Sequence, residues 1–73
     1  MDFGAAFNAM REHDQRMTRE DWGREDEWVA IQWPDEDSRM RMPHLYQHLS
    51  HGGTVPWVPD QVDIFSTDWR VVV

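Results

Sequence analysis

Apolar residues recur at three- and four-residue spacing at the start of the chain, at Phe3, Ala6, Phe7 and Met10. That period lays one apolar stripe along a helix, and the spacing predicts a helix from about Phe3 to His13 with Asp2 as its N-cap. The polar stretch His13-Asp14-Gln15 ends it. Arg16-Met17-Thr18-Arg19 is long enough only for a short edge strand, and Glu20 to Glu27 reads as a charged loop around Trp22. Trp28-Val29-Ala30-Ile31-Gln32-Trp33 is β-rich and nearly all apolar, the mark of a buried strand. Pro34 stops it. Asp35 to Pro43 is polar and without a period, so it reads as a loop.

The second half alternates strands and turns. His44 to Leu49 reads as a strand and Ser50-His51-Gly52-Gly53 as a hairpin turn. Thr54 to Pro59 returns with two prolines, which confines it to a sheet edge. Asp60 is expected to cap a short helix, with Asp63 completing an Asp version of the capping box. Ile64 and Phe65 are expected to face inward, and Trp69 to Val73 to form a last strand. No internal repeat is present. The order predicts a small α+β fold, a single domain over residues 1–73.

Size and composition add a constraint. A chain of 73 residues buries only about 60% of its unfolded surface. Domains below roughly 70–80 residues usually rely on a disulfide, a metal or another subunit. There is no cysteine, which excludes disulfides, thiolate metal sites and a thiol nucleophile. A chain of this size would therefore gain from oligomerising. No apolar run approaches the roughly 20 residues that cross a bilayer, and the first residues carry neither a basic flank nor an apolar signal core. A soluble cytoplasmic protein without a membrane partner is the expectation.

Charge narrows the partners. Fourteen acidic residues face seven basic ones, all Arg, for a net charge of −7. DNA and RNA polymers are thereby disfavoured, because their binding needs a basic face. A small anion remains possible wherever one Arg provides a local field. Five Trp (Trp22, Trp28, Trp33, Trp57 and Trp69) can fill a tiny core and leave flat faces for a nucleobase.

Few constellations carry chemistry. The acidic runs 25–27 and 35–37 read as solvated surface, whereas Asp60, Asp63 and Asp68 bracket a short helix between two Trp. There, helix N–H groups or a ligand hydroxyl could engage them. His44, His48 and His51 fall at i, i+4 and i+7, but no Glu sits between them as in a zinc helix, so no metal or other cofactor is expected. No phosphate-cradling glycine loop and no nucleophile elbow occurs, and the protein is not expected to be an enzyme. Val55 to Asp63 stands out instead: a Trp face, a rigid backbone and polar side chains lie beside a helix start, suited to a base with a phosphate.

Four short segments in one order resemble the Thoeris anti-defence protein two family of small phage proteins. They are Met1-Asp2-Phe3-Gly4-Ala5-Ala6-Phe7; Met17-Thr18-Arg19-Glu20-Asp21-Trp22; Val55 to Phe65, around Pro56-Trp57-Val58-Pro59; and Asp68-Trp69-Arg70-Val71-Val72. The resemblance implies a homotetrameric sponge in the cytoplasm of an infected bacterial or archaeal host. Such a sponge binds a cyclic ADP-ribose isomer, and in some members a CBASS-type cyclic oligonucleotide, without cleaving it. Phe3, Arg19, Trp22, Arg24, Trp57, Asp60, Gln61 and Asp63 are then the candidate ligand-binding residues. Trp22 or Trp57 would stack on adenine, Arg19 or Arg24 would meet phosphate, and Gln61 and Asp63 would bind ribose or base edges. Three departures bear on ligand preference: Gly23-Arg24-Glu25 after Trp22, Asp60 where Ser is usual, and a short, unmatched stretch from Pro34 to His44. The rival reading is a protein-binding inhibitor of a host defence protein that docks through the Trp-rich surface.

Overall fold

The computed structural model describes all 73 residues. The first helix, α1, spans Phe3–His13, and the Asp2 carboxylate accepts from the Ala5 N–H at 2.8 Å as its cap. Ala6, Ala9 and Met10 form its buried face. The helix ends where Asp14 turns left-handed, at φ 52°, a conformation that Asp tolerates better than most side chains.

Five strands follow in one antiparallel sheet: β1 (Met17–Arg19), β2 (Trp28–Gln32), β3 (His44–His48), β4 (Thr54–Pro56) and β5 (Trp69–Val71), in the order β4-β3-β2-β1-β5. A 3-10 turn at Glu20–Trp22 follows β1, and a short helix, α2 (Gln61–Phe65), precedes β5. The α+β architecture is therefore as expected.

The core is one layer thick. Ala6, Ala9 and Met10 of α1 pack on Met17, Val29 and Trp69 of the sheet, with Phe3, Phe7, Ile31, Leu45, Trp57 and Val71 around them. The opposite face has no second layer. There Trp28 stacks on its cross-strand partner His48, rings 4.7 Å apart, and Arg16 lies 5.0 Å from the Trp28 ring. Only ten of 73 residues are buried, so the core is small even for this length.

Three local expectations are corrected. The segment around Met17 is not an edge strand: β1 pairs with both β2 and β5, and all three of its residues are buried. The true edges are β4, in keeping with its Pro56, and β5. Ile64 and Phe65 do not face inward; they are 40% and 78% exposed. Five residues of helix show the core only one position, and Asp63 takes it, because its carboxylate has partners inside. Trp33 lies beyond β2 and is 44% exposed. The strand leaves the sheet at Gln32, so Trp33 projects past the end of α1's cover.

Candidate functional site

Trp69 organises the end of the molecule where most candidate residues gather. It is 2% exposed, and its indole N–H donates to the Asp63 carbonyl at 3.0 Å. Three aromatic rings close around it: Trp22 at 5.4 Å, Phe3 at 5.6 Å and Trp57 at 6.1 Å between centroids. Trp22 and Trp57 also meet edge to face, at 6.4 Å. Different elements deliver these rings. Phe3 opens α1, Trp22 ends the 3-10 turn, and Trp57 follows β4, held by its N–H to the Leu45 carbonyl at 3.0 Å. Gly23 at φ 68° lets the chain turn away immediately after Trp22, a conformation costly for a side chain. Trp22 and Trp57 remain half-buried, so parts of both rings face outward.

Beneath the rings lies a closed charge cluster. The Arg19 guanidinium donates from Nε to Asp68 Oδ1 at 2.8 Å and from Nη1 to Asp63 Oδ1 at 3.4 Å, with Asp21 at 4.0 Å. Asp68 Oδ2 accepts from the Asp21 N–H at 2.9 Å. The Asp68 hydrogen bond raises the Arg19 pKa further above its ordinary value, and the hydrogen bond from Arg19 holds the Asp68 carboxyl below the usual carboxylate range. Asp63 in turn accepts from the Asp60 N–H at 3.1 Å, while Asp60 accepts from the Asp63 N–H at 2.8 Å. The expected capping box is thus present, and it occupies the Asp60 and Asp63 N–H groups at the start of α2.

The eight candidates therefore separate. Phe3, Trp22 and Trp57 come together. Arg19, Asp60 and Asp63 also come together, but as one saturated network whose guanidinium already faces three carboxylates. Gln61 is exposed at the first position of α2. Arg24 lies in the loop before β2, two residues after Trp22, where it is exposed and donates to Ser50 Oγ of the β3–β4 turn at 2.9 Å. Sequence reasoning missed two members, Trp69 as the hub and Asp68 as the partner of Arg19. Asp68 was singled out only with Asp60 and Asp63 as an acid beside α2, and Trp69 only within the closing motif.

His44 and His48 share one face of β3, about 13 Å apart along the strand, and His51 sits in the hairpin turn. None of the three clefts of the molecule is lined by any of the eight candidates. All three are lined by His44 and lie at the opposite end of the sheet.

No helix is long and apolar enough to cross a membrane. No curated protein matches the chain closely enough to serve as a named relative. The family model of the Thoeris anti-defense 2-like (Tad2-like) domain matches residues 1–72. Its span takes in the Phe3 helix, the Arg19–Trp22 turn, the Pro56-Trp57 edge and the Asp68-Trp69 strand together, and the chain belongs to this anti-defence family.

Proposed function

We propose that the protein is a stoichiometric sponge, which sequesters a cyclic nucleotide immune signal, a cyclic ADP-ribose isomer first, and releases it intact. The observation that carries this reading is the pair of half-buried rings, Trp22 and Trp57, set at right angles on a rigid seat, Trp69. A rigid aromatic platform binds a base at little entropic cost, and stacking contributes about 1–3 kcal/mol per base. Arg24 is the phosphate contact in this reading, since Arg19 is consumed by carboxylates and Arg24 faces solvent. Gln61 offers its amide to ribose or base edges.

The open side of this platform would be closed by a second protomer. Val58, Val62 and Phe65, 85%, 64% and 78% exposed, are the apolar residues that a homotetramer would cover. Binding in that assembly adds stability to a chain whose own core is small. A sponge must hold its ligand more tightly than the effector does, so the expected scale is nanomolar, about −12 kcal/mol.

Native mass spectrometry with cyclic ADP-ribose isomers and cyclic oligonucleotides tests the assembly and the ligand together. A tetramer carrying an intact cyclic nucleotide is the expected result, and the ligand mass must be unchanged after release by heat. Trp57→Ala should weaken binding about 5- to 150-fold; unchanged affinity would remove the stacking claim. A complex with a host defence protein and no small-molecule binding would favour the inhibitor reading instead.

A further inference from the structure

We infer that the cleft between the second half of α1 and the β2–β3 end of the sheet is a separate ligand site, which takes a planar aromatic ring bearing one anionic group. The cleft holds about 430 Å³, within the range of small-molecule pockets, which run from about 300 to 1,000 Å³. Its walls are the unfinished end of the core. Phe7, Ile31 and Leu45 pack against the core without being fully buried, and Trp33 stands over them 44% exposed. A flat ring inserted there meets apolar side chains that no other element covers.

Two polar groups set the chemistry. The Arg11 guanidinium lies 5.9 Å from the Phe7 ring centroid. Its carboxylate contact is Glu12 at 3.4 Å, with both side chains 54% exposed, and it also reaches Asn8 Oδ1 at 3.4 Å. Exposed pairs of this kind exchange readily for a better-placed anion, because water already screens them. Arg19, locked by buried carboxylates, is the opposite case. On a chain of net charge −7, an anion needs such a local cation. The second group is His44, which lines the cleft and whose Nδ1 is buried without a hydrogen-bond partner. That nitrogen has no exposed surface, so a ligand in the cleft meets the accessible part of the imidazole ring rather than Nδ1. The site shares no residue with the Trp22–Trp57 platform, so it stands or falls independently of the sponge reading.

The test is an NMR titration of the intact protein with indole-3-acetate and with its neutral amide, indole-3-acetamide. The acetate should bind about tenfold more tightly than the amide, as expected for one charge-assisted contact. Arg11→Gln should remove that difference by weakening the acetate alone. Trp33→Ala, at a position 44% exposed and beyond the end of β2, should abolish binding of both while the amide spectrum stays dispersed. Trp57→Ala should change neither. Equal affinity for acetate and amide would overturn the inference. So would unimpaired binding to Trp33→Ala, loss on Trp57→Ala instead, or no saturable binding of either probe.

Discussion

The two ends of the sheet handle polar groups in opposite ways. At the β1–β5 end, Arg19, Asp60, Asp63 and Asp68 satisfy one another around Trp69, and three further rings pack over that centre. At the β2–β3 end, His44 keeps an unpaired buried nitrogen, Arg11 makes only exposed contacts, and three clefts share one wall. The same small chain thus concentrates its rigidity at one end and leaves the other unfinished. Preorganisation of the Trp22–Trp57 platform follows from the first property. The proposed second ligand site draws on the second.

The comparison breaks most sharply at Arg19. Arg19→Met leaves the buried Asp63 carboxylate without its cation, and removal of one partner from a buried pair costs about 3–5 kcal/mol. For a domain whose total stability is only about 5–15 kcal/mol, thermal unfolding followed by circular dichroism should show a large loss or no folded state. A shift no larger than that of a surface substitution would mean that the network is not what holds this end.

Acid reaches the same network more gently. The folded-state pKa of Asp68 is lowered, chiefly by the hydrogen bond from Arg19. Its contribution to stability is therefore present above the unfolded carboxylate value, about 4, and is lost as pH falls through the lower folded value. Arg19 is raised from an already high value and stays charged throughout that window. Asp68→Asn should cost about 2 kcal/mol near neutral pH and flatten the acid limb of the stability curve. An unchanged acid limb would move the titration to other carboxylates.

Asp60→Ala is smaller again. It removes one side of the capping box and should cost about 1 kcal/mol, read as a modest drop in melting temperature. If the box also orients Asp63 toward Arg19, Asp60→Ala and Asp68→Asn together should cost measurably more or less than their sum, since members of one network couple.

How far the sequence predicts this division depends on the range of the interactions. α1, its cap, the β3–β4 hairpin and the α2 capping box were all legible, because each is written in residues a few positions apart. The pairing of β1 between β2 and β5 was not, because three residues carry too short a pattern to tell an inner strand from an edge. The outward turn of Ile64 and Phe65 was hidden for a related reason: in one and a half turns of helix, a buried ion pair at Asp63 outweighed apolar character. The site was half legible. The Pro56-Trp57 segment flagged part of the aromatic platform and Trp69 was visible only within a motif, while Arg19 looked free because its carboxylate partners lie 44 and 49 residues away. The cleft beside Trp33 had no signature, since Phe7, Arg11 and His44 are unremarkable until the fold sets them side by side.

The gentlest probe belongs to the open end. Met42, 74% exposed in the loop before β3, contacts too little of its own protomer to support it. Met42→Ser should therefore change stability by less than about 0.5 kcal/mol, against several at Arg19. A loss above about 1 kcal/mol, growing with protein concentration, would show that another copy covers this end and that the β2–β3 end is open only in the lone protomer. No effect at any concentration would leave the open end to smaller ligands, and the contrast between the two ends would hold for the assembly as it does for the single chain.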